Sequence, residues 1–427
     1  MHLHRRTLVI CASIGLLAAA CSSESSSSSP PSTNATTTST ATPTTSIAET
    51  AETVGSTDTP TTDPATPTTV GMDTTTTFDP ATLASEYETA GPYPVGVTTV
   101  KMANDISVEI WYPAVEGSNG TETYDVRDFT APAIKAILTA DVPATYTYPA
   151  TRDAAVANNT FPVVLNSHGY SGIRVGSSFL TSHLASWGIV VVSPDHPTRD
   201  LFHAVAQIQP DVVTAPVDDL LGSLDLITAK ASTAGDPFEG HVDTSRVGAL
   251  GHSAGGGTVV QAAADPRIAG YVSMASGIPR DSDGNTSTAV LPDKPSFFLA
   301  GALDGVADPV RTHDAFLAVP TPSLFWEIAG VGHNGFDDFC TFGNGTGIIG
   351  IAEASGLGPL LDAQPQFRSL GEDGCVPPAA PVATTFPIID HAVTAYFLHL
   401  FGVDATAKGL GPGASDSYAE QVTIEQR

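Results

Sequence analysis

The chain has 427 residues, with 17 Lys and Arg against 45 Asp and Glu and a formal net charge of −28 at pH 7. So acidic a body repels nucleic acid, anionic lipid surfaces and long anionic substrates, and no basic cluster or helix-turn-helix pattern offsets it. The first 82 residues hold only two basic and seven acidic side chains, which leaves −23 for the remainder, a charge that suits solubility outside the cell.

Arg5 and Arg6 precede the apolar run Leu8 to Leu17, which ends in Ala18-Ala19-Ala20-Cys21. This reads as an export signal, too short to span a membrane as a helix. Small residues before Cys21 and serines after it resemble a bacterial lipoprotein cleavage site, with Cys21 lipidated. Leu17 stands one place early for such a site, and cleavage within Ala18–Ala20 without a lipid is the alternative. The residues flanking Arg5-Arg6 match a twin-arginine signal poorly.

Residues 22–82 are Ser, Thr, Pro and Ala with almost no large apolar side chains, so they bury too little surface to offset ordering entropy. They are expected to be a disordered tether between a signal peptide (residues 1–21) and one catalytic domain (residues 83–427). Flexible-chain statistics give such a tether a root-mean-square reach of roughly 45 Å.

Within 83–427, Val97–Val100 and Ile106–Ile110 alternate like an antiparallel pair of strands. Phe161–Ser167 is a strand ending in His168-Gly169-Tyr170-Ser171-Gly172, followed by a helix over 177–186. Ile189-Val190-Val191-Val192 reads as a parallel strand buried on both faces. Apolar residues recur at helical spacing from Val217 to Ile227. Val247–Leu250 is a strand, Thr258–Ala264 begins a helix, and Ile268–Val272 is another buried strand. Ser296–Ala300 and Ser323–Ile328 complete the strands, and a last helix from Ile388 to Phe401 is expected to close the sheet. Strands alternating with helices predict an α/β fold, a mostly parallel central sheet flanked by helices.

Between Leu250 and Thr258 stands Gly251-His252-Ser253-Ala254-Gly255-Gly256, a Gly-x-Ser-x-Gly pattern set between a strand and a helix. A serine on such a turn is held in a strained conformation that lifts its Oγ clear of the sheet, and small neighbours let strand and helix approach. Ser253 is therefore the candidate nucleophile. Asp304 and His333 follow the ends of the next two long strands, where an open parallel sheet places its ligand-facing loops. Asp308 competes with Asp304 but lies further from the strand end. Among the histidines after Ser253, His391 and His399 fall in a helical pattern and His313 at a helix start, so His333 is the candidate base. His168 precedes the serine, and a structural hydrogen bond suits it better.

The elbow, His168-Gly169-Tyr170 and Ser193-Pro194-Asp195-His196-Pro197 together resemble the α/β-hydrolase superfamily. So do Gly91-Pro92-Tyr93-Pro94-Val95-Gly96 and Ile110-Trp111-Tyr112-Pro113-Ala114. The combination is similar to bacterial relatives of platelet-activating-factor acetylhydrolase and to dienelactone hydrolase-like proteins. The run Gly251–Thr258 is similar to bacterial cutinase-type polyester hydrolases. The resemblance covers about residues 90–403. It implies a Ser253, Asp304, His333 triad, with the Tyr170 and Ala254 amides as oxyanion donors. True dienelactone hydrolases use a cysteine nucleophile, which disfavours that activity for a chain with Ser253. The implied reaction is hydrolysis of a small, short-acyl ester through an acyl-enzyme, with no cofactor, no metal and no protein partner. Alternatives are a cutinase-like polyester or lipid-ester hydrolase, acyl transfer to a wall component, and a non-catalytic envelope lipoprotein that kept the fold for binding.

Cys340 and Cys375 remain once Cys11 leaves with the signal and Cys21 is lipidated. An even pair in an exported chain is most simply a disulfide, and no nearby Cys or His completes a metal site. Only a polar, turn-rich stretch separates the strands at 268–272 and 296–300, too short for an amphipathic lid domain. An open, wet site predicts a preference for acyl groups of roughly two to six carbons, since a long chain gains about 0.8 kcal/mol per methylene only against an apolar wall. The Cys340–Cys375 segment is the one place from which such a wall could come.

Overall fold

Each strand of the parallel centre sends alternate side chains to opposite faces, and helices cover both. A computed structural model describes residues 86–278 and 291–427. Its strands are β1 (Val95–Lys101), β2 (Ser107–Pro113), β3 (Thr121–Asp125), β4 (Thr145–Pro149), β5 (Thr151–Arg152) and β6 (Phe161–Ser167). They continue with β7 (Val190–Pro194), β8 (Val242–His252), β9 (Ile268–Met274), β10 (Ser296–Gly301), β11 (Ser323–Ile328) and β12 (Val422–Gln426). Ten form one sheet in the order β12-β11-β10-β9-β8-β6-β7-β2-β1-β5, while β3 and β4 pair separately. The run from β11 to β7 is parallel, and β2 and β12 add antiparallel on either side of it. This is the α/β-hydrolase fold.

Val163, Leu165, Val190 and Val192 pack under the helices Pro216–Ser232, Ala254–Ala262 and Pro309–Ala318. Val164, Val191, Leu250 and Val272 face the other way, toward the helices Ser178–Ser186 and Val382–Leu400. Two covered faces explain the uninterrupted valine run at 190–192. Each such side chain contributes about 1.5–3 kcal/mol by leaving water.

The chain steps outward from β6 to β7, then returns to the other side of β6 as β8. Ser167 at the end of β6 lies in register with Gly251 near the end of β8. The carboxyl ends of these two strands are thus neighbours at the point where strand order reverses, which is where such sheets hold ligands.

Two elements differ from expectation. The last long helix starts at Val382 and carries Pro387 inside it, but β12 rather than this helix forms the sheet edge, pairing antiparallel with β11. Five residues with apolar positions only at Val422 and Ile424 are too short a periodic signal, and the partner strand lies about a hundred residues earlier. The β3–β4 pair was likewise not evident from alternation. The expected signal peptide, Cys21 and tether lie outside the described residues, as does most of the polar connection after β9. No helix among the described residues is long and apolar enough to cross a membrane.

Cys340 and Cys375 form a disulfide with their Cα atoms 4.9 Å apart. The chain between them makes a left-handed turn at Gly343 and Asn344 and then three short helices, Gly347–Ala354, Gly358–Asp362 and Pro365–Glu372. Phe342 is buried against Tyr146 of β4, ring centroids 5.8 Å apart, which seats the insertion beside the β3–β4 pair.

Candidate active site

Ser253 follows β8 directly and precedes the helix Ala254–Ala262, with φ 55° and ψ −123°. A non-glycine residue there costs on the order of 1–3 kcal/mol, sustained only because its neighbours over-determine the turn. The Ser253 N–H donates to the Met274 carbonyl at 2.9 Å, and the Ser253 carbonyl accepts from Gly256 N–H at 2.9 Å. The glycines are required by close approach. A Cβ at Gly251 would stand 2.3 Å from the Gly255 carbonyl oxygen, and one at Gly255 would stand 1.8 Å from that of Ser167.

His333 and Asp304 reach Ser253 from the loops after β11 and β10. His333 Nε2 lies 3.0 Å from Ser253 Oγ, and His333 Nδ1 lies 2.9 Å from Asp304 Oδ2. A carboxylate only accepts, so Nδ1 carries the proton and Nε2 is left to accept the serine proton. The other Asp304 oxygen accepts from the Val306 and Ala307 amides at 2.8 and 2.7 Å, which fixes the carboxylate plane. Asp308, the competitor, instead caps the helix Pro309–Ala318 by accepting from Val310 N–H at 3.0 Å.

The loop after β6 runs over the serine. A Cβ on Gly169 would stand 3.0 Å from Ser253 Cβ, so the Tyr170 peptide begins beside the nucleophile. Ala254 is the first residue of its helix, where an N–H has no partner within the helix and faces outward along the helix axis. The two residues named from the sequence thus lie on the segments that flank Ser253, the loop after β6 and the first turn of the elbow helix.

Beneath the elbow lies a buried polar layer. His168 Nε2 accepts from His196 N–H at 3.0 Å, so its Nδ1 carries the proton donated to the Gly169 carbonyl at 2.8 Å. This is the structural role expected of His168, and burial holds its ring well below the usual histidine range, hence neutral. Ser167 Oγ accepts from Arg199 Nη2 at 2.8 Å and lies 2.8 Å from His196 Nε2. His196 Nδ1 in turn lies 3.1 Å from Asp219 Oδ2. Arg199 Nη1 donates to the Ala254 carbonyl at 3.1 Å and to Thr258 Oγ1 at 2.8 Å, tying this layer to the first turn of the elbow helix.

The His252 ring lies against His333, centroids 4.7 Å apart, with its Nδ1 3.4 Å from Asp337 Oδ2. Burial pushes the His252 ring well down, so it presents a neutral wall to the base.

One residue at the site had no local signal in the sequence. Asp373, two residues before Cys375, accepts the His333 N–H at 2.6 Å and the Gly305 N–H at 2.9 Å, and its carbonyl accepts from Asn334 N–H at 2.9 Å. Among the described residues no group of His, Cys, Asp and Glu is arranged to hold a metal ion.

A serine on a strained strand-to-helix turn, at the carboxyl end of a parallel sheet's central strand, defines the α/β-hydrolase superfamily. Comparison with known proteins points within it to cutinase-type relatives. A family model described as PET hydrolase-like (PETase) matches residues 143–322, a span that includes Tyr170, Ser253 and Asp304. The chain is 30% identical over 158 residues to Cutinase 2 of Thermobifida cellulosilytica, covering 36% of this chain and 52% of the relative. It is similarly 30% identical over 158 residues to Cutinase cut1 of Thermobifida fusca, covering 36% and 43%. To a bis(hydroxyethyl) terephthalate hydrolase of Streptomyces coelicolor it is 32% identical over 110 residues, covering 26% and 30%. The chain thus spans about half the length, or less, of the curated relatives it matches. Nothing in these matches singles out platelet-activating-factor acetylhydrolase or dienelactone hydrolase.

Proposed function

We propose that this chain is a serine carboxylic-ester hydrolase working through an acyl-enzyme, with polyester-type esters as its substrate class. The observation that carries the reading is the continuous hydrogen-bonded line Ser253–His333–Asp304. His333 Nε2 takes the Ser253 proton as Oγ attacks the ester carbonyl. The Tyr170 and Ala254 amides receive the oxyanion, and Asp304 stabilises the imidazolium. His333 then protonates the leaving alcohol, activates a water against the acyl-serine, and the acid departs.

The rim of the site favours the polyester class over small short-acyl esters alone. Tyr170, whose amide is the proposed oxyanion donor, and Leu303 and Val306, one residue before and two after the proposed acid, are large apolar side chains left exposed. Such a rim suits a substrate laid across the surface rather than swallowed. The test pairs aryl esters of graded acyl length with an aromatic polyester film. Release of soluble acid from the film supports this class, and turnover confined to two- to six-carbon aryl esters returns the assignment to short-acyl esters. A fluorophosphonate probe should label Ser253. Undiminished turnover by Ser253→Ala would remove Ser253 as the nucleophile, and an intact protein with neither turnover nor labelling would favour a non-catalytic binding protein.

The site of action proposed is the cell envelope, with Cys21 lipidated and residues 22–82 as the tether. Detergent partitioning of the full-length protein, lost in Cys21→Ser, supports it. An unmodified mature N-terminus by mass spectrometry would make the protein simply secreted.

A further inference from the structure

Beside the elbow helix lies a cavity of about 370 Å³ whose wall includes two guanidinium groups, Arg199 and Arg311. Among the described residues no Asp or Glu lines it, which is unusual in a chain of net charge −28. The other polar lining side chains are Thr258, Gln261 and Ser276, all able to donate a hydrogen bond.

Arg199 is only 8% exposed, yet no carboxylate among the described residues pairs with it directly. Its terminal nitrogens are engaged by Ser167 Oγ, Thr258 Oγ1 and the Ala254 carbonyl, all uncharged, and its Nε has no acceptor. Asp219, the acid whose charge acts on Arg199, is taken up by His196 and Thr214. A buried cation with no carboxylate in direct contact is costly, and burial lowers the Arg199 guanidinium to about 10 although the charge of Asp219 acts the other way. Arg311 lines the same cavity, with Nε 3.6 Å from where a Gly277 Cβ would stand. The helix Pro216–Ser232 also begins at the cavity, but Asp218 and Asp219 in its first turn already answer the positive end of its dipole, so the guanidinium groups carry the site. Ala215, Pro216, Val217 and Ile278 make the remaining wall apolar.

We infer that this cavity is a binding site for a small organic carboxylate, its charged end between Arg199 and Arg311 and its apolar body against Pro216, Val217 and Ile278. The two guanidiniums supply the counter-charge. The apolar wall selects an organic acid over inorganic phosphate, because a fully hydrated anion gains nothing from it. The site stands apart from the Ser253 chemistry and does not depend on the ester-hydrolase reading, although the two share Ala254.

Calorimetric titration of the full chain with benzoate, at constant ionic strength and against inorganic phosphate and chloride, tests it. One equivalent of benzoate should bind, and binding should persist after Ser253 is blocked by a fluorophosphonate, which separates this site from the oxyanion hole. Arg311→Ala, a change at an exposed side chain, should weaken benzoate by about tenfold, the scale of one lost charge contact. Gln261→Glu places a carboxylate at the wall. It should abolish benzoate binding while raising the melting temperature of the ligand-free protein. Phosphate binding as tightly as benzoate would overturn the organic-acid assignment. No saturable binding, binding abolished by the fluorophosphonate, or equal affinity in both variants would overturn the site itself.

Discussion

The Asp373 carboxylate holds two loops at once, accepting the His333 N–H through Oδ1 at 2.6 Å and the Gly305 N–H through Oδ2 at 2.9 Å. It thereby ties the loop that carries the candidate base to the one that carries Asp304, with neither reacting side chain involved. Asp373→Ala should lower kcat by roughly 10- to 100-fold, the scale expected when a reacting group is displaced by a fraction of an ångström to 1 Å. Steady-state kinetics should show the loss in kcat with KM little changed, and fluorophosphonate labelling of Ser253 should slow in parallel. Labelling at the wild-type rate would reduce Asp373 to a structural contact.

The two acids near β10 separate cleanly by partner. Asp304→Asn should reduce kcat by a factor of about 10⁴, since an amide facing Nδ1 favours the wrong His333 tautomer. Asp308→Asn should leave turnover nearly intact, because Asn caps the helix Pro309–Ala318 almost as well as Asp. The opposite ranking in kcat would move the acid to Asp308.

The disulfide secures the segment that delivers Asp373. Replacing Cys340 and Cys375 by serine should cost on the order of 3–4 kcal/mol of stability if the effect is loop-closure entropy. Urea unfolding of both proteins measures it. Because Asp373 lies two residues before Cys375, the variant should also lose turnover at temperatures well below its midpoint.

Asp390 gives stability a pH dependence of known sign. His183 Nε2 lies 2.7 Å from the Tyr87 carbonyl, an acceptor, so Nε2 holds the proton and the bare Nδ1 faces Asp390 Oδ2 at 3.7 Å. Burial lowers the His183 ring to about 4, keeping it neutral, and raises the Asp390 carboxyl well above its ordinary value. A carboxyl raised in the folded state stabilises at low pH and loses that contribution as pH climbs from the unfolded value toward the folded one. Asp390→Asn, which cannot ionise, should therefore gain stability relative to wild type as pH rises from about 4 to 8. Chemical denaturation at several pH values checks this. A difference that is flat, or that shrinks with pH, contradicts the raised carboxyl.

Periodicity and turn chemistry, read together with the hydrolase resemblance, pointed to the α/β class, most strands of the central sheet and Ser253, Asp304 and His333 as candidates. Each of these is a local signal: a valine run buried on both faces, a Gly-x-Ser-x-Gly turn between strand and helix, an Asp or His just past a strand end. Local spacing also favoured Asp304 over Asp308, but only the folded chain shows why, since one carboxylate meets His333 and the other closes a helix end. What tertiary structure decided were the contacts made across long separations. Asp373 acts on a residue 40 positions earlier, Arg199 on Ala254 from 55 positions away, and β12 pairs with a strand about a hundred residues before it. No periodicity encodes such pairings, because they depend on where separate loops arrive around a common sheet. The buried charge of Arg199 is of the same kind, since a lone arginine in sequence acquires its meaning only from its burial and from the uncharged partners that meet its terminal nitrogens.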